Sequence, residues 1–369
     1  MTAPQIEIQL IAAIVAAACA LPGAFLVLRR MALISDAISH AMLLGIVVGF
    51  FLTEDLNSPL LILGATLTGL LTALLVELLN RTGLVREDAA IGLVFPALFS
   101  IGVILISRYA GSVHLDTDVV LLGELAFAPF DRVVVTGWDI GPKGLYAGGV
   151  ILLINAALIA LFYKELKLAT FDPGLAAALG FSPAAIHYGL MGVTSLTAVG
   201  AFDSVGAILT VALFIAPAAA AYLLTDDLAR MLFLSVGLGV AAALSGYWLA
   251  FLLDASIAGS MATMAGVIFG LAWCFAPERG LLAGQRRRVR QRWEFAQRML
   301  AIHLLNHERQ PGAEPELQVE HLWQELRWDR EFATRVVSLA EGRGLVTRQN
   351  GRLELTDRGR LLAQESLLA

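Results

Sequence analysis

Asp36 and His40, in the stretch "ALISDAISHAML" at 32–43, are ionisable groups one helical turn apart in an otherwise apolar run. Positions i and i+4 of a helix share a face, so the carboxylate and the imidazole project into the same space. Counted from Arg30 at a helical rise of about 1.5 Å per residue, Asp36 lies about 9 Å and His40 about 15 Å into a bilayer. Placing such groups there costs roughly a few kcal/mol or more unless something compensates. A divalent cation would compensate, and one oxygen plus one nitrogen ligand suit manganese, zinc or iron better than calcium or magnesium. Proton handling is a second reading. A hydrogen-bonded Asp–His pair, flanked by Ser35 and Ser39, that holds helices together is a third. The residues alone leave these three open.

The elements that position the pair follow from composition. The chain has 369 residues, 58% of them hydrophobic, with a mean hydropathy of +0.74. That is far above an ordinary soluble domain and marks an integral membrane protein. Apolar runs at 8–28, 33–53, 59–79, 89–107, 145–163, 186–201, 204–223, 231–252 and 256–276 predict an all-α polytopic fold of about nine spans. The first run is too long for a signal-peptide core and reads as a retained span. Arg29, Arg30, Arg81, Arg86, Lys164, Lys167, Arg230 and Arg279 fall on one side if the N-terminus is outside, which puts the C-terminus in the cytosol. Arg108, Arg132 and Lys143, in the loop 108–144, are exceptions to the rule. That loop is semi-apolar, broken by Gly and Pro, and expected on the outer face, dipping into the membrane without crossing it. Cys19 and Cys274, far apart in apolar runs, read as buried small hydrophobes rather than a disulfide or a metal motif.

Charge is sparse to about residue 277 and dense beyond it. The expected organisation is therefore a transmembrane domain over 1–277, a basic juxtamembrane linker over 278–293 and a cytosolic domain over 294–369. Within the last, "WEFAQRMLAIHLLNH", "VEHLWQELRW" and "DREFATRVVSLAEGRG" have helical periodicity, and "LVTRQNGRLELTDRGRLLAQ" reads as a hairpin with an Asn-Gly turn before a last helix. That order resembles a small α+β winged helix, and its end is similar to that of many winged-helix repressors. Residues 294–369 hold 10 Arg against 12 Asp plus Glu, a balance that disfavours nucleic acid as a partner. The bases gather instead in "QRRRVRQR" at 285–292, where anionic membrane lipid is the expected contact. His303 and His307 form an i, i+4 pair, which with His321 reads either as a sensed-metal site or as a half-buried pair on an amphipathic helix.

Further titratable groups line the membrane part. Asp203, between the sixth and seventh runs near the outer surface, either draws in a cation or caps a helix starting at Ser204. Glu77 reads as an interfacial charge at the cytosolic end of its span. His114, Asp116, Asp118 and Glu124 make an acidic outer mouth suited to divalent cations or to a docking protein. No G-x-x-x-x-G-K-[ST] loop occurs, so ATP hydrolysis would need a separate polypeptide, and no H-E-x-x-H pair suggests a metalloprotease.

Taken together, "ISDAISHAMLLGIVVG", "VREDAAIGLVF", "HLDTDVVLLGELAFAPFD", "LAAALGFSPAAIHYGL" and "AFDSVGAILTVALFIAPAAAAYLLTDD" resemble, in order, the permease subunits of bacterial ATP-binding-cassette importers for manganese, zinc or iron, over about residues 10–276. The resemblance implies an inner-membrane transport subunit that is not itself an enzyme and holds no permanent cofactor. It implies that Asp36 and His40 line the translocation path, and that the short helix of Leu175, Ala176, Ala177, Ala178, Leu179 and Gly180 receives a cytosolic ATPase. The implied partners are that ATPase, an extracytoplasmic metal-binding protein and a second permease subunit. Asp203, where some zinc-type members carry Lys, resembles the manganese and iron branch, as does the C-terminal extension. The alternatives are a membrane-tethered winged-helix DNA-binding regulator and a proton-coupled secondary metal transporter.

Overall fold

The computed structural model describes residues 2–55, 58–109, 125–135, 138–308, 326–349 and 352–368. Two compact units emerge, Met1–Gly280 and Leu281–Ala369.

In the first unit, α1 (Ala3–Leu28), α2 (Leu33–Thr53), α3 (Pro59–Arg81) and α4 (Glu87–Tyr109) precede a short hairpin of β1 (Arg132–Val135) and β2 (Trp138–Pro142). Then come α5 (Lys143–Leu161), the short α6 (Tyr163–Phe171) and α7 (Pro173–Ala178), and the long α8 (Pro183–Leu224), α9 (Leu228–Leu253) and α10 (Ile257–Phe275). Eight of these, α1 to α5 and α8 to α10, are long and apolar enough to cross a membrane. The sequence suggested nine separate spans. The difference is α8, 42 residues long, which joins the expected sixth and seventh runs.

A straight helix of that length would run about 63 Å, twice a hydrocarbon core of about 30 Å. The chain instead folds back at Gly206, whose φ of 77° and ψ of 172° interrupt the helix. Only glycine adopts that conformation without strain. Neighbours along α1 report the reversal. Asn155 of α5 donates to both Ala18 O (2.9 Å) and Thr197 Oγ1 (2.8 Å), placing Thr197 level with Ala18. Past the break, Phe214 lies against Gly23 and Tyr222 shares a cavity of about 160 Å³ with Leu28, Phe171 and Arg279. His187, near the start of α8, meets Glu77 at the end of α3. Both ends of α8 thus lie where α1 ends, the end that the loop charges lead one to expect in the cytosol, and the helix traverses the bundle twice.

The pair-bearing α2 is held chiefly by α3. A Cβ on Gly45 would stand 2.1 Å from Gly64 O, and one on Gly64 would stand 2.5 Å from Gly45 O, so these backbones touch as only glycines allow. Ala37 and Ala41 pack with Val76, Ile91 and Val94 to fix α4 against the same two helices. The segment expected to dip into the membrane forms, over its described part, a 3-10 turn at Ala128–Phe130 and the β1–β2 hairpin. Arg132 anchors it, paired with Asp139 and, at 3.3 Å, with Glu7 of α1.

In the second unit, α11 (Leu281–His307) packs with α12 (Arg330–Gly342), the antiparallel pair β3 (Val346–Gln349) and β4 (Arg352–Leu355), and α13 (Asp357–Leu368). Its core is built on Leu300, Leu304, Val336, Val337, Leu353 and Leu355. The basic run at 285–292 lies in the first half of α11. The unit is mostly helical; the expected helix around 319–328 and the Asn350–Gly351 turn fall largely or wholly outside the described residues.

Candidate metal path and its cytosolic end

Asp36 and His40 lie on the first two turns of α2, with His40 Nε2 3.4 Å from Asp36 Oδ1. Ile34 and Ile38 turn into the main core, and Ala37 and Ala41 pack toward α4. Four residues of core contact on those faces leave Asp36 and His40 the remaining face, and their side chains stay 41% and 31% exposed. The imidazole rests on Phe95 (5.7 Å between centroids) and, edge to face, on Phe99 (6.2 Å). Ser35 and Ser39 are buried and donate to carbonyls of their own helix, Ala32 O (2.8 Å) and Ser35 O (2.9 Å). They therefore do not complete a hydrogen-bonded knot around the pair. One carboxylate and one imidazole also do not fill the coordination sphere of a transition metal, which takes four or more ligands. Among the described residues no group of three or more His, Cys, Asp and Glu side chains exists to supply the rest.

Asp203 is exposed and sits inside the helical segment, three residues before the break at Gly206, so it does not cap a helix starting at Ser204. It is not brought to the pair: Ser195 lies against Gly69 beside Ile38, and Asp203 is eight residues further on, about 12 Å toward the outer end. His114, Asp116, Asp118 and Glu124 lie outside the described residues, as does His321.

At the end of the bundle where α1 ends, α7 is a helix of six residues whose N-terminus is capped by Asp172, with Leu175 N donating to Oδ1 at 2.8 Å. Gly180, at φ 88°, closes it. Ala176 is fully buried while Leu175, Leu179 and Phe181 stand 47%, 62% and 40% exposed. Ala177, Ala178 and Gly180 leave the surface between them low. The result is a small-residue turn with apolar knobs facing away from the bundle. Ser182 caps α8 through Ala185 N (3.2 Å), with Pro183 in its first turn, as the "SP" dipeptide predicts.

Two features here escaped the sequence. Glu77 is not a lone interfacial charge. It pairs with Arg81 (2.5 Å) and faces His187 of α8 at 3.7 Å. Arg29 turns inward, its Nε donating to Thr170 Oγ1 of α6 at 3.1 Å, and burial pushes its guanidinium below the usual arginine range. Glu77–Arg81 is a local i, i+4 pair, but Glu77–His187 and Arg29–Thr170 each join residues more than a hundred positions apart, and no local pattern signals them.

The arrangement is a helix bundle with an open acid–imidazole pair at membrane depth and a presented turn at one end. Residues 6–276 match the sequence profile of the ABC 3 transport family. The chain belongs to this family. Like other ABC 3 permeases it is a multi-pass inner-membrane protein and not an enzyme in its own right. It is 50% identical over 361 residues, 98% of each chain, to the zinc transport system membrane protein TroD of Treponema pallidum (strain Nichols). It is also 50% identical over 283 residues to the manganese transport system membrane protein MntD of Bacillus subtilis (strain 168), covering 77% of this chain and 96% of that one. Among solved structures, PsaBC from Streptococcus pneumoniae in complex with Fab superposes with a TM-score of 0.63 at 30% identity, over 76% of this chain and 94% of that chain.

Proposed function

We propose that this permease passes a divalent transition metal inward through Asp36 and His40, driven by a separate ATPase. The observation that carries the reading is the open pair itself: a carboxylate and an imidazole on one face of α2, uncommitted to flanking serines, in a family whose relatives are named for zinc and manganese transport. An exposed face at membrane depth needs a cover, and two ligands need company. A second permease subunit across that face supplies both, as a copy or a paralogue. Asp203 and the acidic outer loop with Asp116, Asp118 and Glu124 would draw the cation, or the protein delivering it, to the outer end.

The turn around Leu175–Gly180 receives the ATPase, its exposed Leu175 and Leu179 serving as the knobs. Ala178→Pro should release the ATPase while the permease stays in the membrane; stoichiometric co-purification from that variant refutes the docking site. We further propose that residues 294–369 act as a winged helix that modulates transport rather than reading DNA, with the basic run at 285–292 contacting lipid. Residues 285–369 should show no duplex binding tighter than the non-specific range of about 10⁻⁴ to 10⁻⁶ M at physiological salt. Uptake of labelled Mn²⁺ into reconstituted vesicles, with Zn²⁺ and Fe²⁺ as competitors and with or without ATP, tests the main reading. ATP-dependent uptake supports it, and uptake driven by a proton gradient alone transfers it to the secondary-transporter class.

A further inference from the structure

Two adjacent arginines end α1, and only one behaves as a membrane-boundary arginine should. Arg30 is exposed and satisfies the orientation rule by itself, in a left-handed conformation (φ 61°) that closes α1. Its N–H donates to Val27 O (3.1 Å), and Met31 N donates to Leu26 O (2.9 Å). Arg29 could likewise snorkel to water. Instead it is drawn in, with Nη2 buried and without a hydrogen-bond partner among the described residues, an arrangement that costs free energy unless it serves something.

What it reaches is Thr170 Oγ1, at 3.1 Å. Thr170 is the penultimate residue of α6, and only Asp172 separates α6 from α7. Asp172 caps α7, so the two helices form an elbow joined at a single residue that the cap bond fixes. On the other side, Arg29 belongs to the turn that leads directly into α2, seven residues before Asp36. His187 of α8 lies close enough to feel its charge, and Glu77 of α3 stands 3.7 Å from His187 and pairs with Arg81. Arg29 therefore sits where the ends of α3 and α8 come together, and it links Thr170, through the turn that follows α1, to the start of α2. The direct covalent route, from α7 through Ser182, leads into α8 and not into α2.

We infer that the Arg29–Thr170 hydrogen bond is the coupling link by which displacement of the α6–α7 elbow reaches α2 and its Asp36–His40 pair. Arg29 and Thr170 are positioning residues; neither touches the metal. The inference rests on the proposed docking of the ATPase at α7.

The test uses the full-length chain with its co-purified ATPase in vesicles, reading Mn²⁺ uptake and ATP hydrolysis in the same preparation. Thr170→Val is isosteric and removes the acceptor; Arg29→Gln removes the charged donor. Both should keep the ATPase bound and hydrolysing while Mn²⁺ moved per ATP falls by about tenfold, the weight of one hydrogen bond to a charged group. Thr170→Ser, which keeps the hydroxyl, should restore the ratio. An unchanged ratio in Thr170→Val, or uptake and hydrolysis falling in proportion, overturns the link. Retention of the ATPase by Ala178→Pro overturns the docking site instead, and leaves the Thr170 ratio to report on the link alone.

Discussion

Gly45→Ala offers a direct check on whether the α2–α3 contact sets the position of the Asp36–His40 pair. The added Cβ would stand 2.1 Å from Gly64 O, 2.4 Å from Gly64 C and 2.5 Å from Thr68 Oγ1. Ordinary contact begins at 3.4 Å, so the two backbones must part by roughly an ångström, and neither can rotate out of the way as a side chain would. Overpacking of this kind costs about 1–3 kcal/mol, which a bundle of this size should survive. The larger effect is functional. Gly45 lies five residues beyond His40 on the same rigid helix, and a 1 Å displacement of a ligand constellation typically costs on the order of a hundredfold in rate. We expect Gly45→Ala to insert normally, melt a few degrees lower in detergent, and transport Mn²⁺ ten- to a hundredfold more slowly, an estimate scaled from that same displacement. Gly92→Ala is the control: nothing lies within 4 Å of its Cβ. Wild-type uptake in Gly45→Ala, or an equal loss in Gly92→Ala, refutes the claim that this close approach positions the pair.

Three further outcomes follow from other contacts. Asn155→Leu removes two buried hydrogen bonds that join α5 to α1 and α8, and should lower the thermal stability of the purified permease by about 0.6–2 kcal/mol, read by its melting in detergent. Gly206→Ala places a side chain at φ 77°, so the fold-back should be strained and surface expression should fall well below that of Gly149→Ala, a helical glycine with open space around it. Glu294 is held below the usual carboxylate range, first by the hydrogen bond from Arg290 and then by the charges of Arg290, Arg343 and Arg298. A depressed carboxyl favours the folded state above its unfolded pKa and loses that contribution as pH falls through its folded value, so Glu294→Gln should flatten the acid limb of unfolding below about pH 4, followed by tryptophan fluorescence.

The spans and the pair at 36 and 40 were legible because each is a local pattern: apolar length and i to i+4 spacing. The fold-back of α8 was legible only in half. Two short runs were visible, but the gap at Phe202–Asp203 drew the boundary there, whereas the chain turns at Gly206, where backbone conformation rather than polarity decides. The β1–β2 hairpin carried its own signal in "RVVVTGW", a β-branched run before a Thr-Gly dipeptide, which the surrounding apolar sequence masked. Glu77 with His187 and Arg29 with Thr170 could not be read at all, since helix packing alone brings them together. Nor does sequence show that Ser35 and Ser39 bond back to their own helix, the detail that leaves Asp36 and His40 open to a third partner.

The central claim is that Asp36 and His40 touch the transported metal. The most direct measurement is Mn²⁺ uptake by vesicles holding the full complex with Asp36→Asn or His40→Ala, with ATPase co-purification and ATP hydrolysis followed in the same preparation. The account predicts that both variants assemble and hydrolyse ATP but accumulate no metal above background. Normal accumulation in both would contradict it.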